Sequence, residues 1–131
     1  MNKTLKFFLF IILNFLFLSL PSASEETKIK IGLLVPLTGG NSDLGKQLVK
    51  SIQLALKDLN NNQIEVYPRD TQSDPNQTLR SAKELEQMGI NLAIGPIFYD
   101  NLIYLEEVNN ITFLSFTNKT LDLPKNVISS G

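Results

Sequence analysis

The stretch Ile29–Val35, IKIGLLV, is mostly apolar and does not alternate with polar residues. A strand with one face in water alternates, so a run like this reads as a strand covered on both faces. Such strands belong to parallel sheets, whose helical crossovers cover both sides. Pro36, Leu37, Thr38, Gly39 and Gly40 then stop the run abruptly. The run confines the chain to α/β architectures and places a loop at the C-terminal end of a buried strand.

The remaining pattern extends this reading. Ser42 or Asp43 can cap a helix whose inward positions are Leu44, Leu48, Ile52, Ala55, Leu56 and Leu59, at helical spacing. Asn60, Asn61 and Asn62 end it, because their side chains compete for backbone hydrogen bonds. QIEVYP predicts a short second strand that Pro68 terminates. Asp74, Pro75 and Gln77 then stand at N-cap, N1 and N3 of a second helix, a capping box with a prolyl first turn. Leu79, Ala82, Leu85 and Met88 give its inward face, and Gly89 its C-cap.

INLAIGP predicts a third strand, and Tyr99 to Val108 a third helix with Leu102, Leu105 and Val108 inward. ITFLSF is a fourth strand, Leu123-Pro124 a turn, and NVISSG the start of a fifth strand. The order β-α-β-α-β-α-β-β predicts a doubly wound parallel sheet. Right-handed crossovers bring the strand C-termini to one edge, where ligands bind near the switch in strand order. The loop after Val35 lies at that edge.

Residues 1–24 are expected to be a secretory signal peptide. Lys3 and Lys6 precede an apolar run from Phe7 to Leu20, and Pro21 with Ser22, Ala23 and Ser24 form a cleavage-like site. Asn14 and Ser19 interrupt the run, which is shorter than the ~20 residues of a span. Residues 25–131 then carry a net charge of about −3, with no basic stripe that would suit nucleic acid. The chain has neither Cys nor His. This removes disulfides, the usual zinc ligands, the Cys of a lipid-anchored export signal and His-based nucleophilic catalysis. Four glycosylation sequons, at Asn2, Asn76, Asn110 and Asn118, are what chance gives in a chain this rich in Asn.

Several motifs carry competing readings. Gly40, Gly45 and Lys46 match a phosphate-loop spacing, but Gln47 stands where the magnesium-binding hydroxyl belongs, so a loop with an incidental Lys is preferred. Asp70, Asp74 and Asp100 fall near the binding edge, where carboxylates hold magnesium or move protons, but Asp74 caps a helix and Asp100 suits a first helical turn. Phe98 and Tyr99 either stack on a ligand or cover the core. Ser115 and Thr117, flanking Phe116, either grip a carboxylate or amide or cap local backbone.

Three segments together, IKIGLLVPLTGGNSDLG, RDTQSDPNQTLRSAKEL and INLAIGPIFYDN, with FLSFTN in support, resemble the N-terminal lobe of type I periplasmic solute-binding proteins of the leucine/isoleucine/valine-binding group. The resemblance implies a clamshell of two α/β lobes closing on a small solute, such as an amino acid, for delivery to a membrane transporter permease. Residues 25–131 would be part of the first lobe, in a truncated chain. The same segments are also similar to penicillin-binding-protein activator domains, which implies protein–protein contact with a cell-wall synthase. Where amino-acid binders offer small residues and a Ser hydroxyl, Phe98, Tyr99 and Asp100 stand here. The candidate ligand residues are Thr38, Gly39, Gly40, Leu44, Tyr99, Asp100, Ser115, Phe116 and Thr117. No catalytic set, metal or cofactor is expected, and the implied location is the periplasm.

Overall fold

The computed structural model describes residue 2 and residues 27–60 and 62–130. The expected signal peptide lies outside the described residues, apart from Asn2. Five strands form one parallel sheet: β1 (Ile29–Val35), β2 (Ile64–Asp70), β3 (Leu92–Ile94), β4 (Thr112–Ser115) and β5 (Val127–Ser129), in the order β2-β1-β3-β4-β5. Helix α1 (Ser42–Asp58) joins β1 to β2, and α2 (Pro75–Gln87) joins β2 to β3. These two crossovers run in opposite directions across the sheet, so right-handed connections put α1 and α2 on opposite faces. The doubly wound reading therefore holds.

The α2 face is closed. Leu34, Ala82, Leu85, Ala93, Leu102, Leu105, Val108, Ile111 and Phe113 form one buried cluster, with Tyr67, Leu79 and Met88 packed against it. Local sequence fixes α2 at both ends. The Asp74 carboxylate accepts the Gln77 amide at 2.7 Å, with Pro75 in the first turn. The second half of the expected capping box does not form. Asp74 N–H bonds the Thr71 carbonyl instead, and the Gln77 side-chain amide reaches the Asp70 carbonyl. At the other end Gly89, at φ +74°, allows a Schellman closure: Gly89 N–H donates to Glu86 O and Ile90 N–H to Leu85 O.

The α1 face is covered over β1 only in part. Leu33 and Val35 are fully buried there. Gly45 is the one buried residue of α1, because the helix backbone rests against the Pro36 carbonyl, where a Cβ would overlap the oxygen. Leu48, Ile52 and Leu56 are half-buried, while Leu44, Ala55 and Leu59 are exposed. No side chain caps the N-terminus of α1: Asn41 occupies the position but bonds Ser73 instead.

Two sequence expectations fail for identifiable reasons. Pro68 does not end β2, which runs on to Asp70. Bonds from Ile29 N–H to Gln63 O and from Thr71 N–H to Val35 O turn the odd-numbered groups of β2 toward β1. The nitrogen of Pro68 therefore faces the free edge, where no donor is missed. Tyr99 to Val108 forms two 3-10 turns, Tyr99–Leu102 and Leu105–Glu107, rather than an α-helix. Leu102, Leu105 and Val108 do point inward and are buried. Their uniform spacing of three is the 3-10 period, not 3.6.

Candidate functional site at the strand ends

The C-termini of β1, β2, β3 and β4 deliver four loops to one edge of the sheet. The first two are locked together by Asp70. Its Oδ1 accepts the amides of Leu37 at 2.8 Å, Thr38 at 3.3 Å and Gln72 at 2.9 Å, and its Oδ2 accepts the Thr38 hydroxyl at 2.5 Å. Burial alone would raise this carboxyl. The Thr38 hydroxyl and the amides of Leu37, Gln72 and Thr38 outweigh it and hold the group below its ordinary value. Asp70 thus acts as a clasp between loops, and among the described residues no cluster of three or more His, Cys, Asp or Glu is placed to hold a metal.

The third and fourth loops are knitted in the same manner. Ser115, fully buried, donates from Oγ to Pro96 O at 2.8 Å and accepts the Thr117 amide at 3.2 Å. Thr117 is 5% exposed, and its Oγ1 accepts the Lys119 amide at 3.2 Å. The candidate hydroxyls therefore sit at the predicted edge but are tied into its framework. Between them the backbone places Phe116 outward, at 41% exposure.

Tyr99 is half-buried and packs against the core, so the covering role holds for it, yet part of its ring remains accessible. The Lys119 ammonium sits 3.9 Å from the centre of that ring. Asp100 is exposed in the first 3-10 turn. Gly39 (φ +80°), Gly40 and Leu44 are exposed on the β1–α1 loop and first helical turn. The structure joins Thr38 to the Asp70 clasp and groups Ser115 with Thr117. Gly40 and Leu44 lie on the β1–α1 side of the edge, apart in sequence from the loop that carries Tyr99.

Sequence reasoning missed Lys119 and the hollow beside it. About 390 Å³ opens among Tyr99, Asn118, Lys119, Thr120, Leu121 and Asp122. An adjoining hollow of about 400 Å³ shares Tyr99 and Asp122 and has Leu102, Ile103, Glu106, Leu123 and Pro124 on its walls. Lys119 follows the fourth strand at a distance no local pattern flags, and its partner ring lies twenty residues back in sequence. A third hollow, beside the start of β5, is lined by Glu106, Asn109, Lys125 and Asn126. Away from this edge, Glu65 is held below its ordinary value by hydrogen bonds from Lys28 and Tyr67, and Tyr67 is raised by the same Glu65 bond.

A parallel sheet with helices on both faces binds ligands at the C-terminal ends of its strands, where these interlocked loops lie. The family model described as periplasmic binding protein matches residues 28–123, and the chain belongs to that family. It is 32% identical over 84 residues to the uncharacterized protein MJ1266 of Methanocaldococcus jannaschii, an alignment covering 58% of this chain and 20% of that one. Among solved structures it is similar to the C-domain of LpoA from Haemophilus influenzae, a regulator of PBP1A. The TM-score is 0.61 at 24% identity, covering 76% of this chain and 31% of that one. It is also similar to the leucine-binding protein LivK of Thermotoga maritima, with TM-score 0.65 at 19% identity over 77% and 32%. At these identities the two structures establish the fold alone. The chain spans about a fifth of the curated relative and about a third of either solved structure.

Proposed function

We propose that the protein is an exported solute-binding protein whose strand-end site forms one wall of a ligand cleft, serving as the substrate-binding component of an amino-acid-type ABC transporter. Family membership supports this, because the family's solved relatives are solute-binding or regulatory proteins. The observation that carries it is the Asp70 clasp, which holds the β1–α1 loop and the β2–α2 loop rigid at the edge where doubly wound sheets bind ligands. A preformed wall limits the ordering cost of binding. Pockets that cover ~70–90% of a small ligand need a second wall. The lobe alone is expected to bind leucine, isoleucine or valine no tighter than roughly millimolar. Calorimetry of residues 25–131 against amino acids tests this, and micromolar affinity for any of them would overturn the one-wall reading. Export is the companion expectation: expressed in a bacterium, the chain reaches the periplasm and loses about 24 residues. An intact Met1 on cytoplasmic protein, by mass spectrometry, would refute it.

A second reading has its own support. The tied-up hydroxyls of Ser115 and Thr38 leave less polar grip than an amino-acid site uses, and LpoA shares the fold. In this reading the domain regulates a cell-wall synthase by contact. Micromolar binding to a purified synthase, with no solute effect, would select it over transport.

A further inference from the structure

The strand-end hydroxyls that the sequence offers for a ligand carboxylate are engaged within the protein. Ser115 Oγ both donates to Pro96 O and accepts from Thr117 N, and Thr38 Oγ1 donates to Asp70. A different group is placed for the task. Lys119 Nζ lies 3.9 Å from the Tyr99 ring centre, and no carboxylate among the described residues forms an ion pair with it. An ammonium seated on a ring face keeps donors pointing away from the ring. Those donors border the 390 Å³ hollow, which lies within the size range of small-ligand sites.

We propose that Lys119, steadied by Tyr99, is the carboxylate-recognising residue of the strand-end site, and that its ligand is a small monocarboxylate with an apolar body. This rests on the solute-binding reading above and narrows its ligand class. The carboxylate meets Lys119, and the body extends past Tyr99 toward Leu102, Ile103 and Leu123 in the adjoining hollow. Asp122 lines both hollows and Glu106 the second, so a further negative charge on the ligand, held away from Lys119, is repelled. That separates monocarboxylates from dicarboxylates and phosphate esters.

The test is an amide NMR titration of the purified chain with 4-methylpentanoate, its neutral amide and succinate. The expected result is that 4-methylpentanoate shifts the resonances of Tyr99 and residues 118–122 and binds roughly tenfold tighter than its amide, as one charge-assisted hydrogen bond allows. Succinate binds more weakly. Lys119→Gln removes the preference for acid over amide while leaving the rest of the spectrum in place, and Lys119→Arg retains it. Equal binding of acid and amide, no effect of Lys119→Gln, or tighter binding of succinate would overturn the proposal while the solute-binding reading stands. If no solute shifts any strand-end resonance at about 10 mM, the proposal fails, whereas the one-wall reading, which expects binding no tighter than roughly millimolar, stands.

Discussion

The two faces of the sheet are built from similar residues and reach different ends. On the α2 face, Leu34, Ala93, Phe113 and Val127 lie beneath α2 and the two 3-10 turns, and all are buried. On the α1 face one row crosses the sheet in register: Leu33 pairs with Ile94, Ile94 with Leu114, and Leu114 with Ile128. Exposure rises along that row, from none at Leu33, through half-buried Ile94 and Leu114, to 54% at Ile128. Apolar content does not decide burial; the number of elements laid over a face does. The helices differ in the same sense. α2 has a side-chain cap and a Schellman closure, while α1 has no side-chain cap and buries only Gly45.

Neighbouring residues of β4 give the largest test of this contrast. Phe113→Ala removes a fully buried ring from the closed face and should cost ~3–5 kcal/mol in urea unfolding of the chain. Leu114→Ala, one residue on and facing the other way, should cost less than half as much. Equal costs would mean that the α1 face is covered in solution.

Gly45→Ala probes the close approach of α1 to the Pro36 carbonyl. The new Cβ meets a backbone carbonyl, which yields less readily than a side-chain tip. The expected loss is ~1–3 kcal/mol, as for other overpacked sites. A neutral or stabilising result, by the same unfolding measurement, would show that α1 shifts freely on β1 and that its contact adds little.

What could be read in the chain follows the range of the interactions involved. β1 was legible because burial on both faces leaves an unbroken apolar run, and α2 because Asp74, Pro75 and Gly89 signal within a few residues of their effect. Pro68 misled because edge position and amide direction are properties of the sheet, not of β2. The 3-10 turns were hidden in a pattern of three that was read as helical. At the site, the predicted edge and its loops were correct, but the engagement of Thr38 and Ser115 depends on partners 32 and 19 residues away. The ligand roles given to Gly39, Gly40, Leu44 and Asp100 remain proposals that the titration above would map.

The helix termini allow a finer comparison. Asp74→Ala removes a cap bond and should lower stability by ~1 kcal/mol. Asn41→Ala removes no cap bond and should change stability by less than ~0.5 kcal/mol, the range of an ordinary surface substitution. Thermal melts of the two variants measure both, and a larger loss for Asn41→Ala would contradict the contrast between the helices.

The smallest expected effect is also the one with a defined pH signature. The uncapped α1 is led in by a loop that Asp70 holds, so the clasp does for the α1 face part of what capping does for α2. The Asp70 carboxyl lies below its ordinary value in the folded chain because its hydrogen bonds outweigh burial. A depressed carboxyl binds fewer protons folded than unfolded, so its contribution is complete above the unfolded value, near 3.9. It fades as pH falls through the lower folded value. Asp70→Asn cannot titrate, so its stability difference from the parent should be constant from about pH 7 to 5 and shrink toward pH 3. Urea midpoints of both chains across that range decide it. A difference that grows on acidification would mean that the clasp works best protonated, and that the β1–α1 loop is held by something other than the charge of Asp70.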